Sequence, residues 1–394
     1  MGNRRYIPYG RQSISDEDIA AVVAALRSDW LTQGPAIAAF EDGVRDRVGA
    51  RYGVAVSNGT AALHLACLGL GLGIGKRLWT SANTFVASSN CALYCGASVD
   101  FVDIDARTLN ISIAALEEKL GQAQRRGTLP DVVAPVHFGG LPCDLDDIAT
   151  LATRYGFAVL EDAAHAIGAE YHGERIGACR RSVMGVFSFH PVKVMTTAEG
   201  GMIMTNNAEL AEKLRLLRTH GITRDPTRLS PSETGDWFYE QVELGYNYRL
   251  TDLQASLGSS QLRRLDQFLE RRRQLVARYD ELLVDLPVQT QLRAADRRSA
   301  NHLYPVRLDP RRFRRKDVFQ RLRAAGIGVN VHYIPVHTQP CYRKLGFRVG
   351  DFPQAEAYYA GALSLPLHQE LTEEEQDYVV AQLKDALVKS AVGG

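Results

Sequence analysis

Between Gly53 and Glu161 the sequence changes hydrophobic period at intervals that suit only strand and helix in alternation. Val54–Ser57, Arg77–Thr80, Val99–Asp103, Val132–Val136 and Ala158–Glu161 are short apolar runs and read as strands. Thr60–Leu70, Val86–Tyr94, Ser112–Leu120 and Leu145–Tyr155 lie between them and read as helices. Repeated units of this length imply an α/β fold with a mostly parallel sheet covered on both faces. Such a sheet carries its ligand beyond the C-terminal ends of its strands. The Gly69–Gly75 run, with glycine at every second position, is not a dinucleotide fingerprint. That motif follows a strand and opens a helix, whereas this run ends a helix and precedes a strand.

Ahead of the alternation, Ser15 caps a helix with acids in its first turn, and apolar residues repeat at helical spacing to about Ser28. Asp29–Pro35 breaks it, and a second short helix precedes Gly49. Beyond the alternation, an apolar strand containing Val186, Phe187 and Phe189 runs up to Lys193, and a second strand begins at Met202. A helix over Asn207–Thr219 follows, and Ile222–Tyr239 reads as a surface loop of functional length. Asp252 to about Leu283 is one long helical pattern that suits a span between domains. The remainder offers strand candidates at His302–Leu308 and Gly328–His332, a helix at Lys316–Ala325 and a last helix from Thr372. The chain therefore divides into a large domain over residues 1–250 and a small α+β domain with its connecting helix over 251–394.

With 394 residues, a single simple core is too small an expectation. A formal net charge of +1 gives no global argument for nucleic acid or membrane as partner, and neither is expected. The clusters Arg271–Arg273 and Arg311–Lys316 lack interleaved aromatics and read as solvated faces. Six scattered cysteines, among them Cys91 and Cys95 on one helix face, suggest reduced thiols rather than a metal site. The N-terminus lacks the apolar core of a signal peptide and no run is long enough to span a membrane, so a cytoplasmic enzyme is expected.

Lys193 is the residue around which chemistry can be assembled. Flanked by Pro191, Val192, Val194 and Met195, its amine would be partly buried and its pKa lowered, as a Schiff-base nucleophile requires; a lysine snorkelling from a loop accounts equally well for the stretch. Ser57–Ala62 joins a strand to a helix through small residues, so Gly59 and Thr60 could cradle a phosphate or simply form a tight, capped helix entry. Asp162 ends an apolar strand and needs a partner. Facing a ring nitrogen it would keep a pyridinium protonated, and capping a helix is the plain alternative. Phe85 could cover a bound ring or fill core, and His165 alone reads as a structural histidine. Phosphate turn, aromatic, acid and then lysine is the order found in pyridoxal-phosphate aminotransferases of the aspartate aminotransferase fold type.

The sequence closely resembles the DegT/DnrJ/EryC1/StrS sugar aminotransferases nearly end to end. The matching stretches are Leu31-Thr-Gln-Gly34, Ser57-Asn-Gly-Thr-Ala61, Glu161-Asp-Ala-Ala-His165, Phe187-Ser-Phe-His190, Lys193, Thr196-Thr-Ala-Glu-Gly-Gly201 and Gly245-Tyr-Asn-Tyr-Arg249. Many members have glycine where Ala198 stands. The resemblance implies a fold type I enzyme in which Lys193 forms the internal aldimine of pyridoxal 5'-phosphate, with pyridoxamine phosphate as intermediate, and shuttles the proton. It implies that Asp162 pairs with the pyridine nitrogen, that His165 lies near the 3-hydroxyl and that Phe85 stacks on the ring. Gly59, Thr60 and Ser188 would hold the phosphate, and Asn247 would complete the neighbouring active site of a homodimer. No metal is implied. One branch, the pseudaminic-acid-pathway aminotransferases, is matched at Ile7-Pro-Tyr-Gly-Arg-Gln12, Phe85-Val-Ala-Ser88, Ala92-Leu-Tyr-Cys-Gly96, Phe101-Val-Asp-Ile-Asp105, His190-Pro-Val-Lys193 and His220-Gly-Ile-Thr-Arg224. Its members aminate C4 of a UDP-linked 2-acetamido-2,6-dideoxy-4-keto hexose of L-arabino configuration with L-glutamate as donor. By the same resemblance Tyr9, Asp29, Trp30, Leu31, Thr32, Arg249, His332, Tyr333, Ile334 and Pro335 would touch the nucleotide-sugar. Competing readings are an aminotransferase for another 3- or 4-keto sugar, a sugar dehydratase of the same fold, and a non-catalytic regulator or scaffold. Dehydratases of that type carry histidine at the lysine position, which Lys193 argues against.

Overall fold

The structure, a computed structural model, describes residues 6–230, 235 and 237–391. Its first half alternates as the periodicity requires. Helices α1 (Asp16–Leu26) and α2 (Pro35–Val48) precede β1 (Tyr52–Val56), α3 (Gly59–Gly69), β2 (Arg77–Ser81), α4 (Ala87–Tyr94) and β3 (Ser98–Val102). Then come α5 (Ile113–Arg126), β4 (Val132–Ala134), α6 (Leu145–Tyr155), β5 (Ala158–Asp162) and the two-residue strands β6 (Glu170–Tyr171) and β7 (Glu174–Arg175). Strands β8 (Met184–Ser188) and β9 (Gly201–Thr205) lead into α7 (Ala208–Leu217).

Seven strands form the main sheet in the order β1-β9-β8-β5-β4-β2-β3. Every neighbouring pair is parallel except those involving β9, which runs antiparallel to both β1 and β8. Successive strand residues face opposite layers. Val54 and Val56 pack with α3, α4 and α7, while Ala55 packs with α2 and the helices of the other face. Burial on both faces explains why these strands are continuously apolar rather than alternating. The expected strand up to Lys193 is shorter than the sequence suggested. It ends at Ser188, and Lys193 lies in the connection between β8 and β9. The run of Val and Phe continues past the last sheet pairing because Phe189 and Val194 are core residues of the turn itself.

The irregular stretch after α7 contains a small antiparallel pair, β10 (Ile222–Thr223) with β11 (Glu240–Gln241). Part of the loop expected there, residues 231–234 and 236, lies outside the described residues, as do residues 1–5 of the N-terminus. The single long helix expected over Asp252–Leu283 is two, α8 (Asp252–Arg263) and α9 (Leu265–Leu282). The break falls at Arg264, whose guanidinium reaches Asp18 of α1 at 2.9 Å and Ser13 Oγ at 3.2 Å. Asp18 is engaged at the same time by Ser15 N–H in the α1 capping box and by Gln261 Nε2 at 2.6 Å. Helical periodicity passes through the break because both helices bury the same side.

The last part of the chain adds β12 (Val288–Thr290), β13 (Arg297–Arg298), β14 (Tyr304–Leu308), α10 (Arg315–Ala324), α11 (Pro340–Arg343), α12 (Pro353–Gly361), β15 (Ala362–Leu365) and α13 (Glu373–Lys389). Strands β12, β14 and β15 make a three-stranded antiparallel sheet, and β13 joins the β6–β7 hairpin. A separate core collects the C-terminal half of α9, β14, β15, α10 and α13 together with Ile7 from the other end of the chain. Ile7 is held there by Ile7 N–H to Gly326 O at 2.9 Å and Gly328 N–H to Ile7 O at 2.6 Å. The strand candidate Gly328–His332 is an extended segment with a single isolated bridge, Asn330 to Ser364. Its β-branched Val329 and Val331 gave it a strand's composition, but it leaves the sheet to carry His332 and Tyr333 into the cavity described next. Among the described residues no helix is long and apolar enough to cross a membrane.

Candidate active site

A cavity of about 810 Å³ opens beyond the C-terminal ends of β1, β2, β4, β5 and β8. It is lined by residues from each of the turns that follow these strands. The segment His332–Tyr333 and Tyr9 close it from the other side.

One wall is the start of α3. Asn58 caps the helix, its side chain accepting from Ala61 N–H at 2.8 Å. The earliest N–H groups have no partner inside the helix and, with its dipole, favour an anion. Gly59 permits a close approach: a Cβ there would lie 2.9 Å from Ser188 Cβ and 3.1 Å from Ser188 Oγ. Gly201 does the same on the other side, where a Cβ would meet Asn58 O at 2.4 Å. The helix start, the end of β8 and the start of β9 thus form a cradle only small residues allow.

Asp162, at the end of β5, is 4% exposed. Its Oδ2 accepts from Ser88 Oγ at 2.5 Å, and its Oδ1 from Ala164 N–H at 3.2 Å. Since the Ser88 proton is committed to the carboxylate, the Thr84 hydroxyl donates to Ser88 across 2.7 Å. Lys193 faces the same cavity. Burial pulls its pKa down to about 8, opposed by the Asp162 charge. A lysine near 8 has an appreciable free-amine fraction at neutral pH, which a snorkelling surface lysine lacks. The turn that presents it is fixed by side chains: Thr196 Oγ1 accepts from Ala198 N–H at 2.9 Å, and Thr197 Oγ1 donates to Glu199 O at 2.8 Å. Ala198 sits at φ 66°, left-handed backbone that glycine enters freely.

Three histidines of this centre, His165, His302 and His332, are held below the usual imidazole range by burial. His165 Nδ1 accepts from Gly139 N–H at 3.3 Å, so its proton is on Nε2, aimed at Tyr333 Oη 3.2 Å away. Burial, with the Lys193 charge second, holds His165 well below the usual imidazole range. His302 lies beside it with ring centroids 4.4 Å apart and is held down by burial and by His165. His332 is brought to about 3 by burial and Lys193, while its Nδ1 meets Ser364 Oγ at 2.7 Å. Phe85 is 55% exposed at the cavity wall, with its ring 6.1 Å from that of Tyr333. It is not a core residue.

Of the residues singled out in the sequence, Tyr9, Gly59, Thr60, Phe85, Asp162, His165, Ser188, Lys193, His332 and Tyr333 all line this one cavity. Asp29, Trp30, Leu31, Thr32, Asn247, Arg249, Ile334 and Pro335 do not line it within one chain. Asn247 is exposed and bridges to Thr219, and the loop of Asp29–Thr32 is exposed. Sequence reasoning missed Ser88 and His302. Ser88 sits on a helix that reads as apolar, and His302 opens what reads as an ordinary strand, so neither carries a local signal.

Pyridoxal 5'-phosphate fits the residues present. The cradle that a Cβ at Gly59 would fill suits a phosphate, the buried Asp162 suits a protonated ring nitrogen, and the exposed Phe85 face suits a flat ring. The free-amine fraction of Lys193 suits an aldehyde. Comparison with known proteins agrees. Residues 12–384 match the DegT/DnrJ/EryC1/StrS aminotransferase family. The UDP-4-amino-4,6-dideoxy-N-acetyl-beta-L-altrosamine transaminase of Campylobacter jejuni (strain 81-176) is 37% identical over 391 residues, 98% of this chain and 99% of that one. The spore coat polysaccharide biosynthesis protein SpsC of Bacillus subtilis (strain 168) is 38% identical over 391 residues, 98% of each chain. Among solved structures, the PLP-form of Spr1654 from Streptococcus pneumoniae superposes with a TM-score of 0.88 at 30% identity, covering 98% of this chain and 99% of that one.

Proposed function

The chain belongs to the DegT/DnrJ/EryC1/StrS aminotransferase family, and on that premise we propose that it moves an amino group from L-glutamate to C4 of a UDP-linked 2-acetamido-2,6-dideoxy-4-keto hexose of L-arabino configuration. The product would be UDP-4-amino-4,6-dideoxy-N-acetyl-beta-L-altrosamine, a precursor of pseudaminic acid. The amine of Lys193, with its lowered pKa beside the buried Asp162, carries the transaminase chemistry. The full-length likeness to the Campylobacter transaminase supports the choice of sugar.

When bound, pyridoxal phosphate supplies the electron sink that makes the donor's α-proton acidic. The chain supplies the rest. The start of α3, with Gly59, Thr60 and Ser188, would hold the phosphate, and Phe85 would lie against the ring. Asp162 would keep the ring nitrogen protonated, and Thr84 and Ser88 fix the rotamer of its carboxylate. His165, with its Nε2 proton on the Tyr333 hydroxyl, would stand near the ring's 3-oxygen and hold Tyr333 in place there. Lys193, as free amine, takes the α-proton of glutamate and returns a proton on the other side of the exchange. In the second half-reaction it moves the proton back as the keto-sugar is aminated. Tyr9, His332 and Tyr333 form the wall against which the sugar would lie.

Lys193 is the only lysine or arginine lining the cavity among the described residues, yet glutamate brings two carboxylates. We therefore place Asn247 and Arg249, which do not line the cavity of their own chain, at the cavity of a second copy in a homodimer. Ile19, Leu26, Trp30 and Leu31 are each at least half exposed and supply apolar surface for that contact. The active protein should sediment as a dimer, and a fully active monomer would exclude this arrangement.

Product analysis tests the substrate. Incubation with the UDP-linked 4-keto sugar and glutamate should give the 4-amino sugar and 2-oxoglutarate in equal amounts. Amination of other nucleotide-linked 3- or 4-keto-deoxysugars with no turnover of this one would favour the second reading. The equal likeness to SpsC keeps that reading in view.

A further inference from the structure

One of the arginines of the 271–273 cluster does not lie on the solvated face that its composition suggested. Arg273 pairs with Glu270 at the surface, but Arg272 is fully buried on α9. No carboxylate among the described residues pairs with it, and burial alone brings its pKa down to about 10, which leaves it charged at neutral pH. A buried cation is tolerated only where hydrogen bonds replace water. Its four acceptors come in two pairs. Nη1 donates to Asn301 O at 3.1 Å and to His302 O at 3.3 Å on one side. On the other, Nη1 donates to Leu367 O and Nη2 to Gln369 Oε1, each at 3.1 Å. Each pair belongs to a different wall of the cavity. His302 lines the cavity, and its backbone is held twice, by Arg272 at the carbonyl and by Gly139 O, which accepts from its N–H at 2.8 Å. Ala300 N–H donates to Gly140 O at 3.0 Å, and the packing leaves no room for a Cβ on Gly140, which would meet His165 O at 2.9 Å. That wall is thus continuous with His165. In the second pair, Leu367 N–H donates to Tyr9 O at 3.0 Å, so Arg272 also fixes the segment that carries Tyr9.

We propose that Arg272 is a positioning residue for the acceptor half of the reaction. Its fork spans the His302 wall and the Tyr9 wall and sets the width of the slot that takes the keto-sugar, a role that rests on the reading of Tyr9, His332 and Tyr333 as the sugar's wall. Glutamate, the smaller reactant, exchanges at Lys193 and Asp162, which are held by contacts within their own turns and with α4, to Ser88, Ala164 and His190. The donor half of the reaction is therefore independent of Arg272. Arginine suits the task because its planar fork offers donors in two directions at once, whereas lysine has one compact ammonium. Both outer nitrogens of Arg272 are used, and only Nε, at the root of the fork, is buried without a partner.

The two half-reactions can be measured apart by rapid mixing of the holoenzyme while the cofactor's absorbance is followed. Glutamate converts the aldehyde form of the cofactor to the amine form, and the UDP-linked 4-keto sugar converts it back. In Arg272→Lys the return step at subsaturating sugar should slow about 10²-fold, the scale of an ångström-sized misplacement, while the glutamate step stays within about threefold of wild type. Equal losses in both steps would make Arg272 a residue of general stability, and full activity in both would mean that charge alone suffices. Either result overturns the proposal. Gln369→Ala leaves the buried cation in place and removes one acceptor on the Tyr9 side, so it decides the matter if Arg272→Lys fails to fold. The sugar step alone should then slow by about tenfold, for a smaller displacement, and an unchanged sugar step overturns the proposal. A wild type that rejects this sugar and accepts another nucleotide-linked 3- or 4-keto-deoxysugar would count against the substrate and not against Arg272, and the same comparison is then made with the accepted sugar.

Discussion

Lys193→Ala should lower turnover by about 10⁴-fold or more, because it removes the nucleophile and the proton carrier together. Steady-state assay with glutamate and keto-sugar measures it, and turnover within tenfold of wild type would sink the role assigned to Lys193. Stability separates chemistry from collapse. Without cofactor, the folded protein holds Lys193 near pKa 8, below the ordinary lysine value of 10.5. Between those two pH values the unfolded chain binds more protons than the native one, so this group's contribution to stability rises with pH across that window. Below pH 8 its burial is a full liability. The cofactor-free Lys193→Met variant should therefore melt a few degrees above wild type at pH 7, with the gap closing as pH rises from 8 toward 10.5. A variant that melts below wild type at pH 7 would mean that the amine's partners stabilise it more than burial costs it.

Asp162→Asn should reduce turnover by about 10²–10³-fold, the scale seen when a preorganised electrostatic group is neutralised. Asparagine keeps the shape, and its oxygen can still accept from Ser88, so folding and cofactor capture should survive. What it cannot do is favour a proton on the ring nitrogen. Absorbance titration with pyridoxal phosphate would show retained binding, and the kinetic assay would show the loss. Full activity in this variant would reduce Asp162 to a residue that closes the turn after β5 through Ala164 N–H, since no helix starts there for it to cap.

The alternation of strands and helices was legible because burial on both faces demands continuous apolar strands, and amphipathic helices must cover them. Strand order was not. The insertion of β9 between β1 and β8 joins residues separated by most of the large sheet, and nothing local in Gly201–Thr205 marks its direction. Two of the errors of extent have one cause. Val329 and Val331 look like a strand, and α8–α9 look like one helix, because composition and periodicity report burial and not pairing. The departures are made by distant polar contacts, Asp18 on Arg264 in one case and the cavity on His332 in the other.

The site divides in the same way. Lys193, Asp162, Gly59 and Phe85 stand at strand ends or tight turns, where the sequence pattern itself pointed to function, and the fold brings all four to one cavity. Ser88 and His302 became visible only in three dimensions. A serine on a helix and a histidine ahead of Leu303 and Tyr304 are unremarkable until Asp162 and His165 are found against them. The residues left outside the cavity of a single chain, Asn247 and Arg249 foremost, were marked only by resemblance. One chain gives them no work there.

The docking of Ile7 beside Ile327 sets a timetable for the molecule. A ribosome delivers Ile7 more than 300 residues before Gly326–Gly328, so the segment that seals the C-terminal core must stay unengaged until Gly328 is made. The large sheet can form during that wait, since all seven of its strands lie between Tyr52 and Thr205. The cavity cannot. Tyr9 follows Ile7 by two residues and accepts from Leu367 N–H at 3.0 Å, so its wall is completed only when the two ends of the chain meet. The wall beside Lys193 is thus completed only after Leu367 is made, and a half-made chain has no assembled pocket in which to expose a reactive amine.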